Sequence, residues 1–169
     1  MMFQEGKGVR RAIVLALLAL GCALPAASGA QPARKTPYWA SISAGEAMMR
    51  TGPGRNYPAI WLYKRADLPI KVIETYPSWR KIQDPDGTTG WMLVNLLSDT
   101  RTAIVTGDAP RPMHEKPDDA ARIRFMAEPG VVGRISNCDG SWCRFDAKGR
   151  AGFIREAHIW GTDGKEIVE

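Results

Sequence analysis

The chain has 169 residues, with 23 lysines and arginines against 18 aspartates and glutamates, a formal charge of +5. Seventeen glycines and twelve prolines disfavour a helical bundle and favour a turn-rich β architecture. The length suits one ordinary domain or two small ones, and the small net charge gives no reason to expect nucleic acid as a partner.

Residues 1–30 read as a secretory signal peptide. Lys7, Arg10 and Arg11 precede an apolar run over 12–20, and Ser28-Gly29-Ala30 offers a small-residue cleavage site. Cleavage after Ala30 leaves 139 residues and lowers the charge to +3. A membrane span needs roughly 20 apolar residues, and Gly21 and Pro25 interrupt this run after about a dozen. No later stretch is longer, so no integral membrane segment is expected after cleavage. Ala19-Leu20-Gly21-Cys22 loosely resembles a lipobox, so a lipoprotein anchored at Cys22 stands as the alternative to a freely periplasmic or secreted protein.

After a polar lead-in at 31–37, short strand-like runs alternate with turn signals and show no helical period, which predicts an all-β chain. Strands are expected at 39–42, 46–50, 60–64, 68–76, 79–83 and 88–92. Asp84-Pro85-Asp86-Gly87 supplies the hairpin turn between the last two. The same order then repeats. A shift of 63 positions sets 68–72 on 131–135 and Trp79 on Trp142; after one lost residue Gly90-Trp91 meets Gly152-Phe153. The repeat implies two modules, at 38–100 and 101–161, followed by a tail at 162–169. Units of about 60 residues sit near the lower limit of a self-supporting core, so packing between them or a staple in one is expected.

Once Cys22 leaves with the leader, only Cys138 and Cys143 remain. Asp139-Gly140 lies between two strand-like runs, so a hairpin would bring the two thiols face to face, and an oxidising compartment would join them. A redox or metal role is the alternative, against which the four-residue spacing and the lack of further ligands both count. No metal or other cofactor is expected.

Ala47-Met48-Met49-Arg50-Thr51-Gly52-Pro53-Gly54-Arg55-Asn56-Tyr57-Pro58, followed by Trp79-Arg80 and Gly90-Trp91, resembles the bacterial Src homology 3-like domain of exported proteins. The resemblance covers nearly all of the chain after the leader. It implies two tandem, small, partly open β-barrels, each with a long loop after its first core strand. In the first module that loop is 51–59, where Gly52 and Gly54 are expected to take positive φ on either side of Pro53. The second module has Pro112-Met113-His114-Glu115-Lys116-Pro117-Asp118-Asp119 instead, which removes both glycines and the arginine and puts a binding role for it in doubt.

Catalytic patterns are absent from the sequence. His114 and His158 are the only histidines, no G-x-S-x-G elbow occurs, and Asp84, Asp86, Asp118 and Asp119 lie in turn signals. A non-enzyme is expected. Most of Trp61, Trp79, Trp91 and Trp142 should fill the barrels, while Tyr57 and Tyr63, beside Arg50 and Arg55, are candidates for an exposed groove; Trp61 is included as a ligand contact. Flat rings rimmed by guanidinium suit an extended peptide bearing carboxylates. The resemblance implies recognition of peptidoglycan or of a peptide or protein partner in the envelope. The alternative is an assembly adaptor whose barrels pack on a partner without a groove, with Arg50 and the tyrosines merely covering the barrel.

Overall fold

The computed structural model describes residues 34–164 and 167–168. The leader, the cleavage site at Ala30 and Cys22 lie outside the described residues. Among the described residues no helix is long and apolar enough to cross a membrane.

The chain is all-β, with two single-turn 3-10 segments. The first module consists of β1 (Tyr38–Ile42), β2 (Ala47–Arg50), β3 (Ala59–Tyr63), β4 (Pro69–Tyr76), β5 (Trp79–Gln83), β6 (Thr89–Leu93) and β7 (Leu97–Ser98). They form one antiparallel sheet in the order β3-β2-β6-β5-β4-β1-β7. The second module consists of β8 (Thr102–Val105), β9 (Arg111–His114), β10 (Ile123–Ala127), β11 (Val132–Ser136), β12 (Cys138–Asp139), β13 (Trp142–Ala147), β14 (Arg150–Arg155) and β15 (Ile159–Trp160). Its sheet runs β10-β9-β14-β13-β11-β8-β15, the same order strand for strand. A last short strand, β16 (Ile167–Val168), pairs with β12.

The repeat extends to individual residue pairs. Ala47 faces Tyr63, Met48 faces Leu62, Met49 faces Trp61 and Arg50 faces Ala59, with a bulge before the last pair. Sixty-four positions later Arg111 faces Ala127, Pro112 faces Met126, Met113 faces Phe125 and His114 faces Ile123, with the bulge at the same place. The offset is 63 at β4 and β5 and 62 at β6, so the copies differ by single-residue insertions and deletions between strands. A single shift of 63 therefore misaligns the loop after β2 by one residue, and β10 is visible only when that residue is restored.

Alternation along each strand builds two separate cores. Ile42, Met49, Ile70, Val72, Ile82 and Met92 are fully buried in the first; Val105, Met113, Phe145 and Ile154 occupy the second. Each such side chain contributes about 1.5–3 kcal/mol by leaving water. The modules also touch each other, as cores this small require. Trp39 packs edge-on against Trp160 at 4.7 Å between centroids, Lys71 pairs with Asp163 at 2.5 Å, and the Arg65 guanidinium donates to the Gly130 carbonyl at 2.9 Å.

Cys138 and Cys143 form a disulfide in the second module. Their counterparts in the first, Thr75 and Arg80, face each other across the β4–β5 hairpin, so the bond replaces an ordinary cross-strand pair. The turn is wider than the Asp139-Gly140 reading implies. Cys138 leaves the β11–β13 ladder to pair with Val168, and the loop is closed by the Asp139 carboxylate, which accepts from the backbone N–H of Ser141 and Trp142 at 2.9 and 2.8 Å. Asn137 and Gly140 supply the positive φ the loop needs. Glu156 is buried against the Cys143 sulfur at 3.6 Å, but sulfurs bonded to each other are not the thiolates that a metal at Cys138, Cys143 and Glu156 would require.

Candidate functional site

The loop over 51–58 is held by four hydrogen bonds. The Thr51 N–H donates to the Pro58 carbonyl, and the Gly54 N–H donates to Gly52 across Pro53, a γ-turn that suits the fixed φ of proline. The Tyr57 N–H donates to Gly54, and the Arg50 guanidinium donates to the Tyr57 carbonyl at 2.8 Å. Arg50 is thus first a latch on the loop. Arg55 is exposed at the loop's tip.

Neither Gly52 nor Gly54 takes positive φ, contrary to the expectation from the sequence. Both are glycine because of Tyr57. A Cβ at Gly52 would lie 2.3 Å from the Tyr57 ring, and one at Gly54 would lie 3.1 Å from it and 2.5 Å from the Asn56 side chain. The ring lies flat on a floor of bare backbone, with 42% of the residue left open to solvent.

The second module repeats this loop without its aromatic. Glu115 donates to Arg122, Asp118 to Lys116 across Pro117, and Ala121 to Asp118, while the His114 ring bonds the Ala121 carbonyl at 3.0 Å. Every bond matches its counterpart 64 residues earlier. Gly52 has become Lys116, Gly54 has become Asp118 and Tyr57 has become Ala121: once the ring is gone, its floor accepts side chains. Loss of the glycines therefore does not alter the loop; what is lost is the exposed ring.

The five residues expected to bind ligand separate into two groups. Trp61 is 59% exposed on β3, outside the core in which most of the tryptophans were placed; Trp79, Trp91 and Trp142 are buried. Tyr63 corrects the expectation of an exposed groove residue: it is 7% exposed, and its hydroxyl donates to Asp84 at 2.8 Å. It stands at the end of β3 opposite Ala47, where the strand turns into the core. Asp84, assigned only a turn, is buried and also accepts from the N–H of Asp86 and Thr88. Burial, reinforced by the Asp84 carboxylate, raises the Tyr63 pKa well above that of a free phenol. The second module replaces the pair by Ala127 and Ala147, removing ring and carboxylate together.

The structure adds Tyr76 to the exposed aromatics. Tyr76 is 54% exposed and meets Trp91 edge-on at 6.3 Å, and Trp91 lies directly across the ladder from Arg50. The contacts thus lead from Tyr57 through Arg50 and Trp91 to Tyr76. Trp61 lies on the neighbouring edge strand, where Ile60 and Leu62 are also exposed and β3 has a partner on one side only among the described residues. In sequence Tyr76 reads as one more strand residue; only the sheet places it beside Trp91.

The second module exposes no ring at the corresponding positions, although Ile123 and Met126 of β10 are half exposed. Phe125, in the place of Trp61, lies under the Arg150 guanidinium at 4.6 Å, and Trp142 lies under that of Arg155 at 4.2 Å. Arg155 is fixed in turn by Asp119. Tyr76 is replaced by Asp139, which serves the disulfide loop.

Two small barrels of identical topology, each with a latched loop after its first core strand, define a tandem Src homology 3-like protein. A family model described as "Bacterial SH3 domain" matches residues 43–99 and again 108–161, and the chain belongs to that family. No curated protein matches it. Among solved structures it is similar to NlpC2 and NlpC1 of Trichomonas vaginalis, at 14% and 13% identity with a TM-score of 0.34 for each, covering 76% and 79% of this chain. It is also similar to an NlpC/P60 family protein of Bacillus cereus ATCC 10987, at 11% identity and a TM-score of 0.33 over 73% of this chain. The chain spans about half the length of these proteins, 49%, 49% and 56%.

Proposed function

We propose that this protein is a non-catalytic binding module of the bacterial envelope that recognises peptidoglycan or a peptide or protein partner through the aromatic face of its first barrel. The observation that carries the reading is the contrast between two copies of one fold. The same loop, with the same four hydrogen bonds, presents an exposed tyrosine in the first copy and an alanine in the second. Exposed rings cost a small barrel solubility and add nothing to its core, so their confinement to one copy indicates a contact surface. Tyr57, Trp61 and Tyr76 offer rigid area at low entropy cost, with Arg55 as the nearest exposed cation in the loop. Export through the leader at 1–30 fits this role. The non-catalytic reading is supported by the disulfide between the two cysteines outside the leader and by the use of His114 as a loop latch.

The test is co-sedimentation of the protein with purified sacculi and, separately, capture from envelope extract, comparing wild type with Tyr57→Ala and Trp61→Ala. Loss of one interaction in both variants, with the melting temperature retained, supports the aromatic face and identifies the ligand class. Binding unchanged in both variants would favour the adaptor reading, for which β3, apolar and open at the edge of its sheet, is the natural contact.

A further inference from the structure

On separate grounds from the aromatic face, the geometry points to a second site: we propose that the cleft between the two barrels binds a multivalent oxyanion. The cleft is a cavity of about 650 Å³, within the usual range for ligand sites. Its walls come from both modules, with Lys64 and Arg65 from the loop after β3, Arg134 from β11 and Lys148 from the β13–β14 turn. Asp67 and Asp146 are the acidic members. A smaller cavity on the second module shares Arg134 and Asp146 with the cleft and is also lined by Arg101, which donates to the Gly161 carbonyl, and by Arg144.

Three observations favour an anion over a merely solvated surface. Lys64, Arg134 and Lys148 have no carboxylate partner among the described residues; the same holds for several cations on the open surface, such as Arg55 and Arg124, but these three line one cleft. Like charges gathered in a cleft repel one another and focus a positive potential that an oxyanion relieves. Of the two acidic members, Asp146 is partly engaged: it accepts from the Gly149 N–H at 2.7 Å and lies 3.9 Å from the Arg144 guanidinium.

The backbone supplies the third observation. Lys148 and Gly149 form a two-residue hairpin turn in which both have positive φ, +54° and +88°. Such turns favour asparagine or glycine at the first position, because a longer side chain is strained there. A lysine held in that conformation, projecting from a turn on the cleft wall, is in the wrong place for stability and the right place for charge. Asp67, also at positive φ, lies in the stretch with Lys64 and Arg65 that the first module contributes to the cleft.

The proposal is tested with the intact protein by calorimetric titration at low ionic strength, using tripolyphosphate and citrate as probes. Wild type is expected to bind at least one of them, with an affinity that falls as salt is added. Lys148→Gly is expected to bind severalfold more weakly while its melting temperature stays level or rises, since glycine relaxes the turn. Arg134→Ser with Lys148→Gly is expected to lose at least tenfold, and Tyr57→Ala to bind as wild type. Preference for tripolyphosphate identifies phosphate groups as the natural feature recognised; equal binding of citrate extends it to carboxylates. Absence of binding to both probes at low salt, or wild-type affinity in the Arg134→Ser, Lys148→Gly double variant, overturns the proposal. Neither result bears on the aromatic face, which is assayed on different residues with a different ligand.

Discussion

The dependence of Gly52 on Tyr57 yields a sign change that few other effects would produce. Gly52 is buried and does not use the left-handed region, so its backbone accepts alanine, and Gly→Ala at such a site adds about 0.4–1 kcal/mol by restricting the unfolded chain. With Tyr57 in place, however, the new Cβ would sit 2.3 Å from the ring, more than an ångström inside van der Waals contact. The ring must leave its seat or the loop must shift, at a cost of about 1–3 kcal/mol. The net effect of Gly52→Ala in wild type is a destabilisation of up to about 2.5 kcal/mol. In a Tyr57→Ala background the clash is gone and the same substitution is expected to stabilise by about 0.5 kcal/mol. Urea denaturation of the four proteins gives a coupling equal to the clash cost, about 1–3 kcal/mol. The second module already holds the doubly substituted solution, Lys116 with Ala121, in the same loop. Equal effects of Gly52→Ala in the two backgrounds would refute the idea that the glycine serves the ring.

Further expectations concern the interior and the turns. Replacing Cys138 and Cys143 together by serine should cost about 2 kcal/mol, the chain-entropy value for so short a loop, read as a shift in the urea midpoint that vanishes when both proteins are reduced. Tyr63→Phe removes one of the donors to buried Asp84 and should cost about 1–3 kcal/mol, while Tyr63→Ala combined with Asp84→Ala should cost less than the sum of the singles, as the alanine pair in the second module implies. With the folded pKa of Tyr63 raised, the folded protein keeps a proton that the unfolded chain releases near pH 10. Its contribution is full below that pH and declines above it, and alkaline ultraviolet titration should show one of the four tyrosines ionising late. At the acid end, the N–H groups of Trp142 and Ser141 hold the Asp139 carboxyl below its ordinary pKa. The stability it lends is present at neutral pH and lost as pH falls through the depressed value, a loss that Asp139→Ala should abolish in acid denaturation profiles.

Much of the fold was legible because its signals are local. Alternation and turn residues located all six leading strands of the first barrel to within a residue or so, and the repeat carried the assignment to β11, β13 and β14 of the second but not to β8, β9 or β10. The paired cysteines were legible for the same reason, since only five positions separate them. Within the candidate site, Tyr57 was found as an exposed ring; Trp61 was grouped with the tryptophans expected mostly in the core although it was kept as a ligand contact, and Tyr63, two positions away, was misplaced. Alternation says that two residues share a face; it does not say that an edge strand carries one past the rim and tucks the other over the core.

The sequence by itself determined the all-β class, the tandem repeat, the strand positions and the local disulfide, because each depends on spacing within a few residues or on recurrence at a fixed interval. Tertiary structure alone decided the rest. It showed that Gly52 and Gly54 are bare because a ring lies on them, that Asp84 is a buried hydrogen-bond hub, and that Tyr76 joins Trp91. It also showed that Lys64, Arg65, Arg134 and Lys148 line one cleft. A net charge is a sum over residues and carries no positions, whereas folding brings Lys64 beside Arg134 and Lys148, residues far apart in sequence, and leaves them facing one cleft.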